Sequence, residues 1–362
     1  MPASLARKST PLLMNNTSWM YGRKPIPVLI HPPNQHKWLM MTFPRALKVI
    51  IPTMMMALLN LILPIAYASE PGAACRQRHL TTITLQETGY YLTSVAQIHG
   101  RSLSMIIDTG SEGSLLTPEA ISQLHLTPNA EEATIISGAD GHGHVVPTIE
   151  LASLTLGHVT FHQPIMPLGA LPAFPAIQPP VLGLIGMDLL GHYDIDLDLP
   201  HHKLSLWDVH ARSMLCQQPP FWPYQSQRLT AGRVRGRFFI PFTLDGQDGV
   251  ALIDSGARSH IISKEFVYKL GITEEALAQD PGGISAGIGD KEHRYHWHHF
   301  GRLTLGGQTQ LHPVLTVTSL HEQADMLLGA DWLMHHHLWL SAGPEGAVFV
   351  QTAHEANPPQ KK

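Results

Sequence analysis

Two stretches of this chain copy one another, and that duplication constrains the fold more than any other feature. Ile106-Ile107-Asp108-Thr109-Gly110-Ser111 runs apolar pair, acid, hydroxyl residue, glycine, small residue, and Leu115-Leu116 follows shortly after. Leu252-Ile253-Asp254-Ser255-Gly256-Ala257 has the same order and is followed by Ile261-Ile262. Further on, Leu184-Ile185-Gly186-Met187-Asp188-Leu189-Leu190 answers to Leu327-Leu328-Gly329-Ala330-Asp331-Trp332-Leu333 at a nearly constant offset from each first aspartate. Between them each half carries a Gly-containing polar stretch, Ser137 to His144 and Ser285 to Asp290, and a Leu-Thr-Leu-Gly, at 154–157 and 303–306. Several features recurring in one order are the signature of an internal repeat. Two copies are too few for a solenoid, so the expected architecture is a two-lobed pseudodimer.

Each triplet begins as a short apolar strand and ends in a turn that carries one carboxylate. Such a strand places the acid at the end of a rigid element, and the glycine allows a sharp turn and the close approach of another backbone. An isolated Asp-Thr-Gly is ordinary turn chemistry. A duplicated one, in matched surroundings, is not.

The combination resembles the retropepsin-like aspartic peptidases, with two such units fused in one chain. The similarity covers roughly residues 80–210 and 236–352. It implies a mostly β protein: two acid-protease β-barrel lobes forming a pseudo-twofold single-chain dimer, with few short helices. In that family each unit supplies one Asp-Thr/Ser-Gly loop, a glycine-rich flap and an apolar-apolar-Gly segment packed behind the loop. Gly186 and Gly329 would then be loop-packing glycines. Gly138-Ala139-Asp140-Gly141 and Gly287-Ile288-Gly289 would be the flap tips that close over substrate. Retroviral members often carry an arginine just before the positions of Asp188 and Asp331. Met187 and Ala330 stand there instead, so those two acids are expected as helix caps or first-turn residues.

Composition agrees with an exported globular body. With 44% hydrophobic and 14% charged residues the chain can bury substantial cores. Of its 24 Lys and Arg, seven precede Glu70; all 28 Asp and Glu lie from Glu70 onward. The body is therefore acidic, which argues against nucleic-acid binding. Residues 49–65 form an apolar run that follows Arg45 and Lys48 and leads to Ala66-Tyr67-Ala68, the pattern of a secretory signal peptide. Residues 1–68 are thus a basic extension plus a targeting segment, with a mature start at Ser69 in the periplasm or cell envelope. The alternative is a membrane anchor over 49–67. Lobe 1 is expected over 75–210, a Pro-rich interlobe linker over 211–235, lobe 2 over 236–352 and a polar tail over 353–362. The linker aromatics Phe221, Trp222 and Tyr224 suggest that it lies against the body.

Local patterns fill in the lobes. Thr81–Leu85 and Tyr90–Val95 read as strands, and a His99-Gly100 turn leads into the strand before Asp108. Thr117-Pro118-Glu119 opens a short helix to Leu124, with a hydroxyl cap and proline in the first turn; Ser263 to Leu270 repeats it.

The chemistry follows from the pairing. Two facing carboxylates cannot both ionise, so they hold one shared proton. One can then take a proton from water while the other donates to a peptide carbonyl. Asp108 and Asp254 are assigned this role, as a pair that titrates as a unit. Thr109, Gly110, Ser255 and Gly256 support it, the hydroxyls bonding across to the opposite loop as the resemblance implies. The expected partner is a peptide or protein substrate, without nucleic acid, and with the chain a monomer. The rival reading keeps the cleft in an inactive peptide-binding or assembly protein. No cofactor is implied. The 24 histidines include no HExxH and no Cys-His spacing for a metal.

Cys75 and Cys216 are the only cysteines and bracket the first repeat; they form either a bridge or two free thiols. Protein purified from the cell envelope is expected to begin at Ser69, and labelling of the unfolded, unreduced chain counts its thiols. Retention of residues 49–68 means an anchor, and two reactive thiols exclude the bridge.

Overall fold

In this computed structural model the described residues are 77–351, without 89–90, 139–140, 142, 172–179, 209–218, 220–221, 223–225, 287–291 and 344–345. Cys75, Cys216, the apolar segment 49–68, the tail 353–362 and the expected flap residues Ala139, Asp140, Gly287, Ile288 and Gly289 lie outside them. Among the described residues no helix is long and apolar enough to cross a membrane.

Among the described residues the chain is mostly β with five short α-helices, and the repeat is visible strand by strand. In the first half Tyr91–Ile98 pairs with Arg101–Ile107 around a tight turn. His99 and Gly100 both have positive φ there, as a two-residue hairpin turn requires. In the second half Arg237–Leu244 pairs with Gln247–Ile253 around Asp245 and Gly246, again both at positive φ. Each outgoing strand ends at the repeated aspartate. Beside it runs a short parallel strand: Gly183–Ile185 along Arg101–Ile107, and Met326–Leu328 along Gln247–Ile253. A third segment, Leu115–Leu116 or Ile261–Ser263, pairs antiparallel on the far side of that strand. The lobe helices follow. Pro118–Leu124 is capped by the Thr117 side chain and Lys264–Lys269 by Ser263, each accepting from the backbone N–H three residues on.

Side-chain alternation sorts these strands into two faces. Met105 and Ile107 point into the main core with Ile185, and Ala251 and Ile253 with Met326 and Leu328. Ile106 and Leu184 point the other way, into a small cluster with Tyr91 and Leu115. Leu252 and Leu327 do the same in the second half, with Phe239 and Ile261 beside them. The aspartate loops are therefore packed from below by the core and bordered above by two matched apolar clusters.

A six-stranded antiparallel sheet joins the halves. Its order is Arg78–Thr84, Lys203–Asp208, Asp194–Asp198, His337–Ser341, Ala347–Gln351, Ser226–Leu229. The lobes meet where Ile195 stands opposite Leu340 and Leu197 opposite Leu338. The segment 211–235, expected as a linker, is more than a connection. Ser226–Leu229 forms an edge of the joining sheet, and Gly232–Val234 pairs with Arg237–Leu244. Pairing partners far along the chain give it strand structure that its prolines did not suggest. Trp222 lies against this sheet, its ring 4.5 Å from that of His337.

The halves are not identical. The hairpin Asn129–Ser137 with Gly143–Glu150 belongs to a separate three-stranded sheet with Ile165–Pro167. Its counterpart, Gly282–Ala286 with Glu292–His299, is continuous with the ten-stranded sheet of the second half.

Trp339 is fully buried in the joining sheet, 5.7 Å ring to ring from Trp207. Trp339→Ala should cost about 3–5 kcal/mol by leaving a cavity. Because the sheet draws strands from both halves, unfolding in urea should remain one transition by fluorescence and circular dichroism. A loss below about 1 kcal/mol would show that the sheet does not depend on this residue.

Candidate active site

The two aspartate loops meet face to face, and hydroxyls lock them. Thr109 Oγ1 donates to the Ile253 carbonyl at 2.9 Å and accepts from the Ser255 N–H at 3.1 Å. Ser255 Oγ donates to the Ile107 carbonyl at 2.8 Å and accepts from the Thr109 N–H at 3.0 Å. Both side chains are buried, with exposures of 0% and 1%. These four bonds cross from one repeat to the other, and each hydroxyl uses its single donor and one acceptor position. Serine makes the same crossing as threonine, so the missing methyl changes neither bond.

The clasp fixes the carboxylates. Asp108 Oδ1 accepts from the N–H groups of Gly110 and Ser111, both at 2.9 Å. Asp254 Oδ1 accepts from Gly256 at 2.9 Å and Ala257 at 3.0 Å. Each carboxylate then lies against the glycine of the opposite loop. A Cβ on Gly110 would overlap the Asp254 carboxyl, and one on Gly256 would overlap that of Asp108. Gly186 and Gly329 serve a second close approach. A side chain there would strike the backbone of Gly113 or Ser259 in the turn after each aspartate.

Asp188 and Asp331 stand in the first turn of the short helices Met187–Leu190 and Ala330–Leu333. They also reach back to the loops. Ser114 Oγ donates to Asp188 at 2.6 Å and accepts from the Gly186 N–H at 3.0 Å. In the second half His260 takes the serine's place: its N–H and Nδ1 lie 3.1 and 2.8 Å from Asp331 Oδ2. Several other histidines likewise meet a carboxylate, among them His298 with Asp280, His201 with Asp198 and His337 with Asp196.

An ion-pair network absent from the expectations crosses between the repeats. Arg237, 3% exposed, donates to Glu112 at 2.6 Å, to Glu322 at 2.9 Å and to the Gly110 carbonyl at 3.3 Å. Arg235 holds the other oxygen of Glu112 at 2.6 Å. Nothing in the local pattern around Arg237 pairs it with a glutamate 125 residues away. The signal was positional: Glu112 and Arg258 both stand four places after their aspartate, with opposite charge.

The loops floor a cleft of about 530 Å³. Ser137 and Gly138 of one hairpin line it, as do Ile284, His293, Tyr295 and Trp297 of the other. Gly141, at positive φ, leaves no room for a Cβ against His321, so the first hairpin reaches the second half. Of the flap residues expected from sequence, Gly138 lines the cleft and Gly141 lies against His321.

Electrostatically the two acids are one group. Burial raises the Asp108 carboxyl above its usual range, partly offset by the Gly110 and Asp254 hydrogen bonds. Burial raises Asp254 well above its usual range, and repulsion from Asp108 pushes it further. The pair therefore retains a proton where an isolated aspartate would have lost it, and it titrates as a unit.

The sequence model of the aspartyl protease family matches residues 95–189 and again 240–332, together just over half of the chain. The chain belongs to this retropepsin-like family, with two repeats fused. No curated protein matches the chain.

A raised folded-state pKa has a defined sign in stability. The folded pair binds more protons than the unfolded chain, so stability falls as pH rises from the unfolded aspartate range through the raised folded one. Asp254→Asn keeps an acceptor for Gly256 and Ala257 and removes the like charge. Its Tm should rise by roughly a few degrees at pH 7, and the gain should vanish below about pH 3, where both carboxyls are protonated in either state. Melting curves across that range check this; a variant less stable at pH 7 would mean that the carboxylate is not under strain.

Proposed function

We propose that this protein is an aspartic endopeptidase whose two repeats contribute one catalytic carboxyl group each. The observation that carries the reading is the buried clasp that holds Asp108 and Asp254 against each other's loops. Membership of the aspartyl protease family supports the protease class. A peptide in extended form suits a cleft bordered by two hairpins, whose backbone offers pairing partners.

The reacting pair carries one shared proton, with Asp254 protonated and Asp108 ionised in one of two equivalent, mirrored assignments. A water between them attacks the peptide carbonyl carbon and gives its proton to Asp108, while Asp254 passes its proton to the carbonyl oxygen. The product of this step is a tetrahedral diol, with the dyad still carrying one proton. Asp108 then donates to the amide nitrogen, Asp254 recovers a hydroxyl proton, the C–N bond breaks, and the starting protonation returns. The Gly110, Ser111, Gly256 and Ala257 N–H groups keep the inner carboxylate oxygens occupied and leave the outer ones for the water. An exported setting belongs to the same proposal and rests on the signal-like pattern over residues 49–68.

Asp108→Asn and Asp254→Asn should each lower turnover of a denatured protein substrate by several orders of magnitude, and the double variant should be little worse than either. Activity should peak in acid and fall as pH rises past the point where the second proton leaves. Substantial turnover by a monomeric Asp254→Asn protein would refute the shared dyad.

A further inference from the structure

The strand that leads out of the second hairpin sorts two neighbouring rings against the usual rule. In Glu292–His299 the buried one is His296, 5% exposed, and neither of its nitrogens has a hydrogen-bond partner among the described residues. Trp297, next to it and on the opposite face, is 43% exposed. Burial alone would favour the reverse, because tryptophan carries the larger apolar surface and an unpartnered imidazole is costly to bury. Register shows what the exposed face meets. Trp297 stands opposite Thr316, and Tyr295, two places back, lies on the same side. All three residues line the cleft, so this face of the strand is one of its walls.

The first half has no such wall. The Leu151 N–H donates to the Pro164 carbonyl as that of Phe300 does to Pro313, and Gln163 donates to Ala152 as His312 does to Gly301. One constant offset relates every one of these pairs. On that offset Thr148 answers to Trp297, Val146 to Tyr295, and Pro167, opposite Thr148, to Thr316. Thr148 is buried, and its hydroxyl donates to the Glu132 carbonyl at 3.1 Å. Neither Thr148 nor Val146 is among the described residues that line the cleft. The two aromatic rings therefore belong to the arm built by the second half alone.

That arm suits an aromatic guest. The Tyr295 and Trp297 rings lie 5.4 Å apart and tilted by 56°, an arrangement in which each braces the other and to which a third ring can add by stacking or by its edge. Ile261 and Leu327, from the apolar cluster of Phe239 and Leu252, line the same cleft. The nearby hydroxyls of Ser259 and Thr316 bond each other at 3.1 Å and so make little polar demand on what enters.

We propose that Trp297, braced by Tyr295, is a specificity determinant that binds an aromatic side chain of the substrate at one fixed position on the second arm of the cleft. The inference rests on the peptidase reading of the cleft and adds a substrate class to it. The first arm has a buried threonine at the matching place, so the demand falls once along the peptide and recognition is directional.

The test uses the full chain and a set of extended decapeptides. At each position in turn the peptide carries phenylalanine, leucine, or cyclohexylalanine, which is similar to phenylalanine in size but has no aromatic ring. Affinity is read on the Asp108→Asn protein, where turnover is blocked and Trp297 is intact, and kcat/KM on the unaltered protein. At one register phenylalanine should be favoured over cyclohexylalanine and leucine by about three- to tenfold in Kd. Trp297→Leu should abolish the preference and Trp297→Tyr should keep part of it, with thermal melting showing that both fold. Should either variant fail to fold, the contrast between phenylalanine and cyclohexylalanine on the chain with Trp297 intact decides alone. An aromatic preference in Kd without any turnover would keep this inference and overturn the peptidase reading. Cleavage or binding that treats phenylalanine and cyclohexylalanine alike at every register, or a preference that survives Trp297→Leu, would overturn the inference and leave the dyad untouched. Failure to bind any peptide would overturn both.

Discussion

The structure depends on holding two acids of like charge against each other in a buried place. Left alone in water, they would separate and both ionise. The crossed hydrogen bonds of Thr109 and Ser255 prevent this. A typical buried hydrogen bond contributes about 1 kcal/mol net, so four contribute a few kcal/mol, an amount that can offset the strain of the pair. Their asymmetry matters more than their sum. Loss of either hydroxyl strands a donor and an acceptor of the opposite loop in a dry place, at roughly 1–3 kcal/mol each. The clasp therefore resists partial opening, and the loops stay in one geometry.

Everything beyond the clasp supports it from a distance. The short parallel strands carry Gly186 and Gly329 to the backs of the loops, where only a glycine fits. The first-turn acids Asp188 and Asp331 tie down Ser114 and His260. Arg237 reaches the Gly110 carbonyl of the other repeat and lowers the cost of charge on Asp108. The joining sheet, with both halves contributing strands, keeps the arms from drifting apart. A symmetric dimer would need every such support to work on both sides at once. Fusion in one chain lifts that requirement. This chain has used the freedom at Ser114 and His260, at Glu112 and Arg258, and in the two hairpins, which sit in differently built sheets.

What sequence could show and what it could not divide along one line. The strands ending in Asp108 and Asp254, the caps at Thr117 and Ser263 and the turn at His99 and Gly100 were legible. Each is set by residues close together, and the second copy turned weak signals into a strong one. The aspartate pairing was legible only because the repeat supplied a partner. The Arg237 pairing with Glu112 and Glu322 was not, because it joins three distant segments and neither charge pattern points to the others. Likewise Ser226–Leu229 and Gly232–Val234 became strands through partners elsewhere, Ala347–Gln351 and Arg237–Leu244. Propensity within 211–235 carried no trace of them.

The charge inversion at Arg258 shows why comparing the copies is informative beyond finding the fold. Positions that must do the same job kept the same chemistry: acid, hydroxyl, glycine and buried aliphatic residues recur in both loops. Where the copies differ in charge, the common job does not require that residue, and its chemistry must suit its own surroundings. Glu112 sits beside an arginine from the other repeat, and a glutamate there satisfies a buried cation. Arg258 lies 4.6 Å from the centroid of the Tyr91 ring and lines the cleft. The same position in the two copies thus carries an acid held in an internal ion pair in one and a cation against an aromatic ring in the other.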